Sequence, residues 1–168
     1  PIYHPFAHLI EDNGRKILKA PLANDNNYFS IDFDTLESQL SKAESKVLIF
    51  CNPHNPIGRA WSYDELYQVC KLCLVHDVIL ISDEIHCDFV FPGREFVSAA
   101  VPMRELGGLD SLIVCASASK SFNLAGLQTS DIIIPGRKAR QAYDEILGRQ
   151  HMMELNLFGP KACEAAYR

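Results

Sequence analysis

Residues 78–86 of the chain read Val-Ile-Leu-Ile-Ser-Asp-Glu-Ile-His, an apolar run that ends in polar and charged residues. A short continuous apolar run of this kind is typical of a strand that is covered on both faces. The preceding segment begins with Ser62-Tyr63-Asp64-Glu65, a capping-box sequence that predicts a helix from Ser62 to about His76. A helix followed by a buried strand is the repeating unit of an α/β protein.

The same unit recurs on both sides of this stretch. Upstream, residues 46–51 predict a strand, preceded by a helix over about residues 33–42 with Asp32 or Asp34 as its N-cap. Downstream, the pattern predicts two strands and two helices, over residues 111–115, 130–134, 137–149 and 160–167. This alternation predicts an α/β fold of three layers, with a mostly parallel sheet between helices on both faces.

Length and composition limit the classes of function. A chain of 168 residues with 48% hydrophobic residues is long enough for one domain with a substantial core. The net charge of −5, without a cluster of Lys and Arg, argues against nucleic acid as a partner. The longest apolar runs fall far below the roughly 18 residues of a membrane span, and the N-terminus has no signal-peptide pattern. We therefore expect a soluble protein of the cytoplasm, for which small-molecule chemistry stays open.

Six cysteines raise the question of disulfides or a metal site. Cys70 and Cys73 form a CxxC, but they share helical spacing with Leu66, Val69 and Leu74, and no second Cys or His pair lies nearby. This placement favours a buried helix face over a redox or zinc site. The other four cysteines lie in or beside predicted strands or in the last helix, as expected of reduced thiols in the cytosol. The sequence therefore predicts no metal site.

Polar residues follow three of the predicted strands, at the end where ligands bind in sheets of this kind. Asn52-Pro53-His54-Asn55-Pro56-Ile57-Gly58 comes after the first strand, Asp83 after the second and Ser117-Ala118-Ser119-Lys120 after the third. Taken singly, each has an ordinary explanation: a rigid turn, a helix cap and a lysine on the surface. Because all three follow strands of the predicted sheet at its ligand-binding end, the three groups constrain one another.

Together these residues supply the parts that a pyridoxal phosphate site needs. Such a site has a lysine for the aldehyde, an acid beside the pyridine nitrogen, and donors for the phenolic oxygen and the phosphate. The acid Asp83 and Lys120 are 37 residues apart, which leaves room for a crossover and one further strand.

The motifs Asn55-Pro56-x-Gly58, Asp83-Glu84-x-His86 and Ser117-x-Ser119-Lys120 resemble those of the class I/II aminotransferases of fold type I. The longer strings SDEIHCDFVF and SKSFNLAGLQ are similar to the cystathionine β-lyase branch, the MalY/PatB type of C-S lyase. The resemblance extends through almost the whole chain and implies the large domain of an aspartate aminotransferase-like fold.

The resemblance implies roles at matching positions. Lys120 matches the lysine that holds pyridoxal phosphate as a Schiff base, Asp83 the acid that pairs with the pyridine nitrogen, and Asn55 the residue that binds the phenolic oxygen. Further cofactor contacts are implied at three positions: the phosphate at Ser117 and Ser119, and a stacked aromatic ring at Tyr3 in the string PIYHPF.

Two positions depart from the aminotransferase pattern. His86 stands where these enzymes commonly have a tyrosine that contacts the phenolic oxygen, and Gln128 where they commonly have an arginine that clamps the phosphate. An amide has neither the charge nor the bidentate fork of a guanidinium. Both departures resemble the C-S lyase branch. The resemblance therefore favours β-elimination, which gives pyruvate, ammonia and a thiol from cystathionine or a cysteine conjugate, over transamination.

The resemblance also implies parts that this chain lacks. Family members are considerably longer, so residues 1–168 are expected to be part of the large domain, without an N-terminal segment and a C-terminal small domain. The complete protein is expected to be a homodimer that acts on an amino acid, and this stretch alone is expected to have little or no turnover. Two alternatives stay open: an aminotransferase, and a non-catalytic ligand-binding domain of a transcription regulator.

Overall fold

A four-stranded sheet forms the centre of the fold in the computed structural model, which describes residues 1–152 and 154–168. Two short 3-10 turns, at Leu109–Ser111 and Ala125–Leu127, flank the third strand of this sheet. The helices and strands in chain order are α1 (Pro5–Asp12), β1 (Ala23–Asp25), β2 (Tyr28–Ser30), α2 (Phe33–Leu40), β3 (Val47–Cys51), α3 (Tyr63–Val75), β4 (Ile79–Asp83), α4 (Ala100–Glu105), β5 (Leu112–Ala116), β6 (Asp131–Ile133), α5 (Arg137–Arg149) and α6 (Phe158–Ala166).

The strands of the central sheet follow one another in the order β3, β4, β5 and β6. The first three are parallel and β6 is antiparallel to β5, which confirms a mostly parallel α/β sheet. The register pairs Cys51 with Asp83 and Asp83 with Cys115. The carboxyl ends of the three parallel strands therefore lie side by side at one edge of the sheet.

The core lies on one face of this sheet, beneath α2, α3 and α4. Helix α3 buries Val69, Cys70 and Cys73 completely, and they pack in one cluster with Leu80 of β4 and Leu112 of β5. This confirms that the CxxC is part of a buried helix face. Among the described residues, no three His, Cys, Asp or Glu side chains gather in a way that could hold a metal ion.

The opposite face of the sheet is more open within the described residues. Alternation along each strand puts Val47, Ile79 and Ile81 on this face, and the register places Val47 beside Ile79. Val47 is 50% exposed and Ile79 is 36% exposed, whereas Leu80 on the other face is fully buried. Helices of this chain thus cover one face closely and leave apolar surface on the other.

Helix α3 begins at the capping box that its sequence predicts. The amide of Glu65 donates to Ser62 Oγ at 3.3 Å, and the amide of Ser62 donates to Glu65 Oε2 at 2.9 Å. Glu65 also pairs with the guanidinium of Arg59 at 2.7 Å, and this guanidinium lies over the rings of Tyr28 and Trp61. The cap therefore also ties the β1–β2 hairpin to α3.

The other predicted elements are present, α5 with the predicted bounds and the rest with bounds shifted by one or two residues. Helix α2 is capped by Asp32, which accepts from the Thr35 amide at 2.9 Å, and it ends two residues early at Leu40. Helix α6 begins before Pro160 because Asn156 Oδ1 accepts from the amides of residues 158 and 159. Within the residues that the structure describes, no helix has the length and apolar character needed to cross a membrane.

Candidate functional site

The three polar loops predicted from the sequence leave the sheet at the same edge. Two backbone hydrogen bonds continue the ladder beyond the strands: the Asn52 amide donates to Asp83 O at 2.9 Å, and the Glu84 amide donates to Cys115 O at 2.8 Å. These bonds hold the first residue of each loop beside its neighbour. The structure thus brings the loops of Asn55, Asp83 and Lys120 together, as the sequence predicts.

The loop after β3 is anchored by Asn52, whose side chain is fully buried. Its amide group donates to Val97 O at 2.8 Å, and its oxygen accepts from the Trp61 amide at 3.2 Å. The backbone amide of Asn55 donates to Cys51 Sγ at 3.4 Å. The side-chain amide of Asn55 has no hydrogen bond to any described residue, so it is available to a ligand. Asn52 was not assigned a role from the sequence.

Asp83 ends β4 on the more open face of the sheet. Its Oδ1 accepts from the Ile85 amide at 3.2 Å, which fixes the carboxylate and leaves Oδ2 without a partner among the described residues. The neighbouring thiols are neutral: burial, opposed in part by the Asn55 amide, raises the pKa of Cys51 to about 11, and burial and then the charge of Asp83 raise that of Cys115 to about 11. The two thiols are therefore not anionic groups at this edge.

The side chain of Glu84 points to the opposite side of the sheet from Asp83 and holds the loop before α4 by hydrogen bonds. Its Oε1 accepts from Ser82 Oγ at 2.8 Å and from the Ala99 amide at 2.9 Å, and its side chain is buried. Burial raises the pKa of Glu84 above its ordinary value, although the hydrogen bonds from Ala99, Ser98 and Ser82 act in the opposite direction. Because adjacent residues of a strand face opposite sides, the sequence Asp83-Glu84 could have indicated this division of roles.

The raised pKa of Glu84 predicts a pH effect on stability. The folded protein holds the Glu84 proton more tightly than the unfolded chain, whose pKa is near 4.5, so the stabilisation is complete below this pH. It is lost as the pH rises through the folded pKa. Glu84→Gln removes this pH dependence, because glutamine does not titrate. The free energy of unfolding of the wild type should therefore fall relative to that of the variant as the pH rises.

Urea unfolding of the two proteins at matched pH values measures this difference. Glu44→Gln, at an exposed position, is the control and should show no such trend. A difference that is independent of pH, or that grows in favour of the wild type as the pH rises, would contradict the prediction.

The loop of Lys120 is held by the hydroxyl of Ser117. Ser117 Oγ donates to Thr129 O at 2.8 Å and accepts from the Ser119 amide at 3.0 Å. A hydroxyl has a single proton, so in this arrangement Ser117 has only an acceptor position left. The hydroxyl of Ser119 and the amine of Lys120 have no hydrogen bond to described residues, and Lys120 is exposed. Ser119 and Lys120 therefore present free donors in this loop.

A cavity of about 330 Å³ opens between this loop and the loop of Asp83. Gln128, which has a left-handed backbone with φ 49°, is one of its lining residues. The lining consists of Ile85, Ser117, Ser119, Ala125, Gln128, Thr129 and Ser130. Hydroxyl and amide groups are suitable donors for an oxyanion, and this lining contains no lysine or arginine. The open cavity therefore offers neutral polar groups to a ligand.

Tyr3 and His86 each have an aromatic neighbour close in sequence. The Tyr3 ring packs edge-on against Phe6 at 5.4 Å between centroids and is 40% exposed. The half-buried His86 ring lies 6.3 Å from the Phe89 ring. Among the described residues, neither Tyr3 nor His86 makes a side-chain hydrogen bond.

Comparison with known proteins identifies the family. The family model "Aminotransferase class I and II" matches residues 1–144. Cystathionine beta-lyase PatB of Bacillus subtilis is 44% identical over 167 residues, which are 99% of this chain and 43% of PatB. The structure of cystalysin from Treponema denticola, which contains a pyridoxal 5′-phosphate cofactor, is similar at a TM-score of 0.94 with 36% identity, over 99% of this chain and 42% of cystalysin.

A PLP-bound C-S lyase from Staphylococcus hominis is similar at a TM-score of 0.90 with 36% identity, over 99% of this chain and 41% of the lyase. The chain therefore spans less than half the length of these relatives. Their similarity extends over the sheet and all three loops that carry the candidate site. The chain belongs to the class I and II aminotransferase family, and it has the α/β fold of its pyridoxal phosphate-dependent members.

Proposed function

We propose that this edge of the sheet binds pyridoxal 5′-phosphate. The supporting observation is the strand register, which sets the loops of Asn55, Asp83 and Lys120 side by side. Each loop presents a group without a partner among the described residues: an amide, a carboxylate oxygen and an amine. These groups match the phenolic oxygen, the pyridine nitrogen and the aldehyde of the cofactor in kind. The residues present therefore fit the cofactor.

The neutral cavity beside the lysine loop is the proposed phosphate site. The Ser119 hydroxyl and the side chains of Gln128 and Ser130 can donate to phosphate oxygens, whereas Ser117 in this arrangement positions the loop. Ser117 can donate to the phosphate only if its hydroxyl rotates and gives up its hydrogen bond to Thr129 O. Tyr3 is proposed to stack on the cofactor ring and His86 to lie near its phenolic oxygen, as matching positions in the family do.

Each residue then has a chemical task. Pyridoxal phosphate, when bound, supplies an aldehyde for amines and a ring that accepts the electron pair left by deprotonation at the substrate Cα. Lys120 Nζ holds the aldehyde carbon until a substrate amine replaces it, and it then takes the Cα proton as a general base. The Asp83 carboxylate keeps a proton on the pyridine nitrogen, since opposite charges at short range stabilise each other. Asn55 orients the ring through the phenolic oxygen.

The proposed reaction is C-S β-elimination. With one molecule of water, which supplies the keto oxygen of pyruvate, it converts cystathionine or a cysteine conjugate into pyruvate, ammonia and a thiol. Relatives with the names cystathionine beta-lyase PatB and C-S lyase support this choice, and so does the amide of Gln128 in the phosphate cavity. The match to the family model of class I and II aminotransferases makes amino-acid transamination the second candidate.

The complete enzyme is proposed to be larger than this chain. Residues 1–168 would form part of the large, cofactor-binding domain, because they correspond to 43% of PatB. We propose a homodimer in the cytoplasm, with a C-terminal small domain that completes the site for the amino-acid substrate. By itself this stretch would then have little or no turnover.

Product analysis of the complete protein distinguishes the two reactions. With cystathionine and bound cofactor, we expect stoichiometric release of pyruvate and free thiol, and slow exchange of amino groups with added keto acids. Lactate dehydrogenase coupling measures pyruvate, and a thiol reagent measures the second product. Amino-group exchange without thiol release would instead support an aminotransferase, and cofactor binding without either reaction would support a non-catalytic domain.

A further inference from the structure

A cluster of four side chains lies beside Lys120, on the loops that carry the proposed chemistry. We call Asp88, Ser121, Phe122 and Tyr167 the Asp88 cluster. The hydroxyl of Ser121, the residue after Lys120, donates to Asp88 Oδ2 in a short hydrogen bond, and Tyr167 Oη donates to the same oxygen at 3.4 Å. The rings of Phe122 and Tyr167 meet edge to face at 5.1 Å between centroids.

The bond from Ser121 to Asp88 joins the two halves of the proposed site. Asp88 lies five residues after Asp83 in the segment 83–88, and Ser121 lies in the lysine loop, residues 117–123. Among the described residues, no other side-chain hydrogen bond connects these two segments. The bond therefore relates the positions of the Asp83 carboxylate and the Lys120 amine to each other.

Backbone hydrogen bonds close a turn within each of the two segments. The segment 83–88 is closed by a turn in which the Cys87 amide donates to Glu84 O at 3.0 Å. In the lysine loop, the Phe122 amide donates to Ala118 O and the Leu124 amide to Ser119 O, both at 3.0 Å. Lys120 itself is exposed and has no partner among the described residues, so its position depends on its neighbours.

Tyr167 extends the restraint to helix α6. Burial and then the charge of Asp88 raise the pKa of Tyr167, so its hydroxyl keeps its proton and stays a donor. Its ring covers Phe122 while its hydroxyl reaches Asp88. Tyr167, which follows helix α6, thus connects the end of this helix to both segments.

We propose that Asp88 is a positioning residue, which fixes Lys120 relative to Asp83 by accepting the hydrogen bond of Ser121. This inference rests on the proposed function of the two residues that it positions. Asp88 acts through Ser121, whose hydroxyl donates to the Asp88 carboxylate. In the proposed arrangement Asp88 itself does not contact the cofactor. Misplacement of a reacting group by about 1 Å can cost about 10²-fold in rate, so a bond of this kind matters to turnover.

The test uses the complete protein with bound pyridoxal phosphate. Asp88→Leu and Ser121→Ala each remove the bond, and we expect kcat to fall by about 10-fold or more while KM stays within about twofold. The double variant should be no slower than the slower single variant, because both changes delete the same interaction. Asp88→Asn keeps an oxygen acceptor for Ser121 and should retain most of the activity. Asp144→Asn, an exposed change on α5, is the control.

A second readout is the pH midpoint of the absorbance of the lysine-bound cofactor. It should shift in Asp88→Leu and Ser121→Ala and stay unchanged in Asp144→Asn. Unfolding midpoints are recorded for all variants, and Ser121→Ala carries the test if Asp88→Leu folds poorly. Unchanged kcat and pH midpoint in Ser121→Ala, or fully additive losses in the double variant, would overturn the proposal. Failure of the wild type to bind the cofactor covalently would overturn the proposed function first, and the spectrum shows this before any variant is compared.

Discussion

Replacing Lys120 with alanine is expected to lower kcat of the complete enzyme for cystathionine by about 10³-fold or more. The substitution removes both the amine that holds the cofactor and the base that takes the Cα proton. Because Lys120 is exposed and has no partner among the described residues, the free energy of unfolding of the cofactor-free protein should change by less than about 0.5 kcal/mol. Steady-state pyruvate release and urea unfolding measure the two effects.

Lys138→Ala is the matched control, because Lys138 is an exposed lysine on α5, away from the sheet edge. It should keep full activity. Addition of a small primary amine should restore part of the activity of Lys120→Ala, since the missing group is an amine. A Lys120→Ala variant that turns over cystathionine at a rate within tenfold of the wild type would remove Lys120 from the mechanism.

Replacing Asp83 with asparagine should lower kcat by about 10²–10³-fold, the typical cost of losing one preorganised charged group. Asparagine has the shape of aspartate and can still accept from the Ile85 amide, so the loop should persist. It carries no charge to keep a proton on the pyridine nitrogen. The absorbance of the bound cofactor and the rate of pyruvate release are the measurements.

Two further variants separate the effect of charge from the effect of shape. Asp83→Glu keeps a carboxylate and should retain more activity than Asp83→Asn, although its longer side chain displaces the charge. Asp144→Asn removes an exposed carboxylate elsewhere and should have no effect. If Asp83→Asn and wild type turn over at the same rate, the carboxylate at the end of β4 has no part in the reaction.

The elements that the sequence predicts best are those whose local pattern agrees with their packing. The capping box at Ser62 and the helical spacing of Val69, Cys70 and Cys73 predict α3 with both its start and its buried face. The apolar run predicts a strand over residues 78–82, and β4 extends over Ile79–Asp83; Leu80 and Ser82 are buried on one face, whereas Ile79 on the other is partly exposed. In each case the residues of one short segment determine the secondary structure of that segment.

Other elements have no such local pattern. The strands of the β1–β2 hairpin have three residues each and are largely exposed, and Arg59, far along the chain, secures the hairpin through Phe29 O at 2.6 Å. Helix α1 has no buried residue, and α4 has six residues. The direction of β6 depends on the connection from β5, which contains a 3-10 turn and no crossover helix. Parallel pairing is usually made through a crossover helix, which this connection lacks, and β6 returns antiparallel to β5.

In the candidate site, too, some features follow from the local sequence and others depend on distant residues. The order of Asn55, Asp83 and Lys120 after three neighbouring strands is local information, and the sequence predicts that they meet. The hydrogen bonds that position them are long-range, because Asn52 reaches Val97 O and Ser117 reaches Thr129 O. A single sequence does not show which of its hydroxyls is occupied by such a partner. The free donor at Ser119 therefore emerges from the structure.

The most direct test of the account is to locate the cofactor on the chain. The complete protein is loaded with pyridoxal phosphate, reduced with borohydride and digested, and the labelled peptide is identified by mass spectrometry. The account predicts one labelled residue, Lys120, with the label lost in Lys120→Ala and retained in Lys138→Ala. A label on another lysine, or a cofactor spectrum that survives Lys120→Ala unchanged, would contradict the assignment of this sheet edge as the cofactor site.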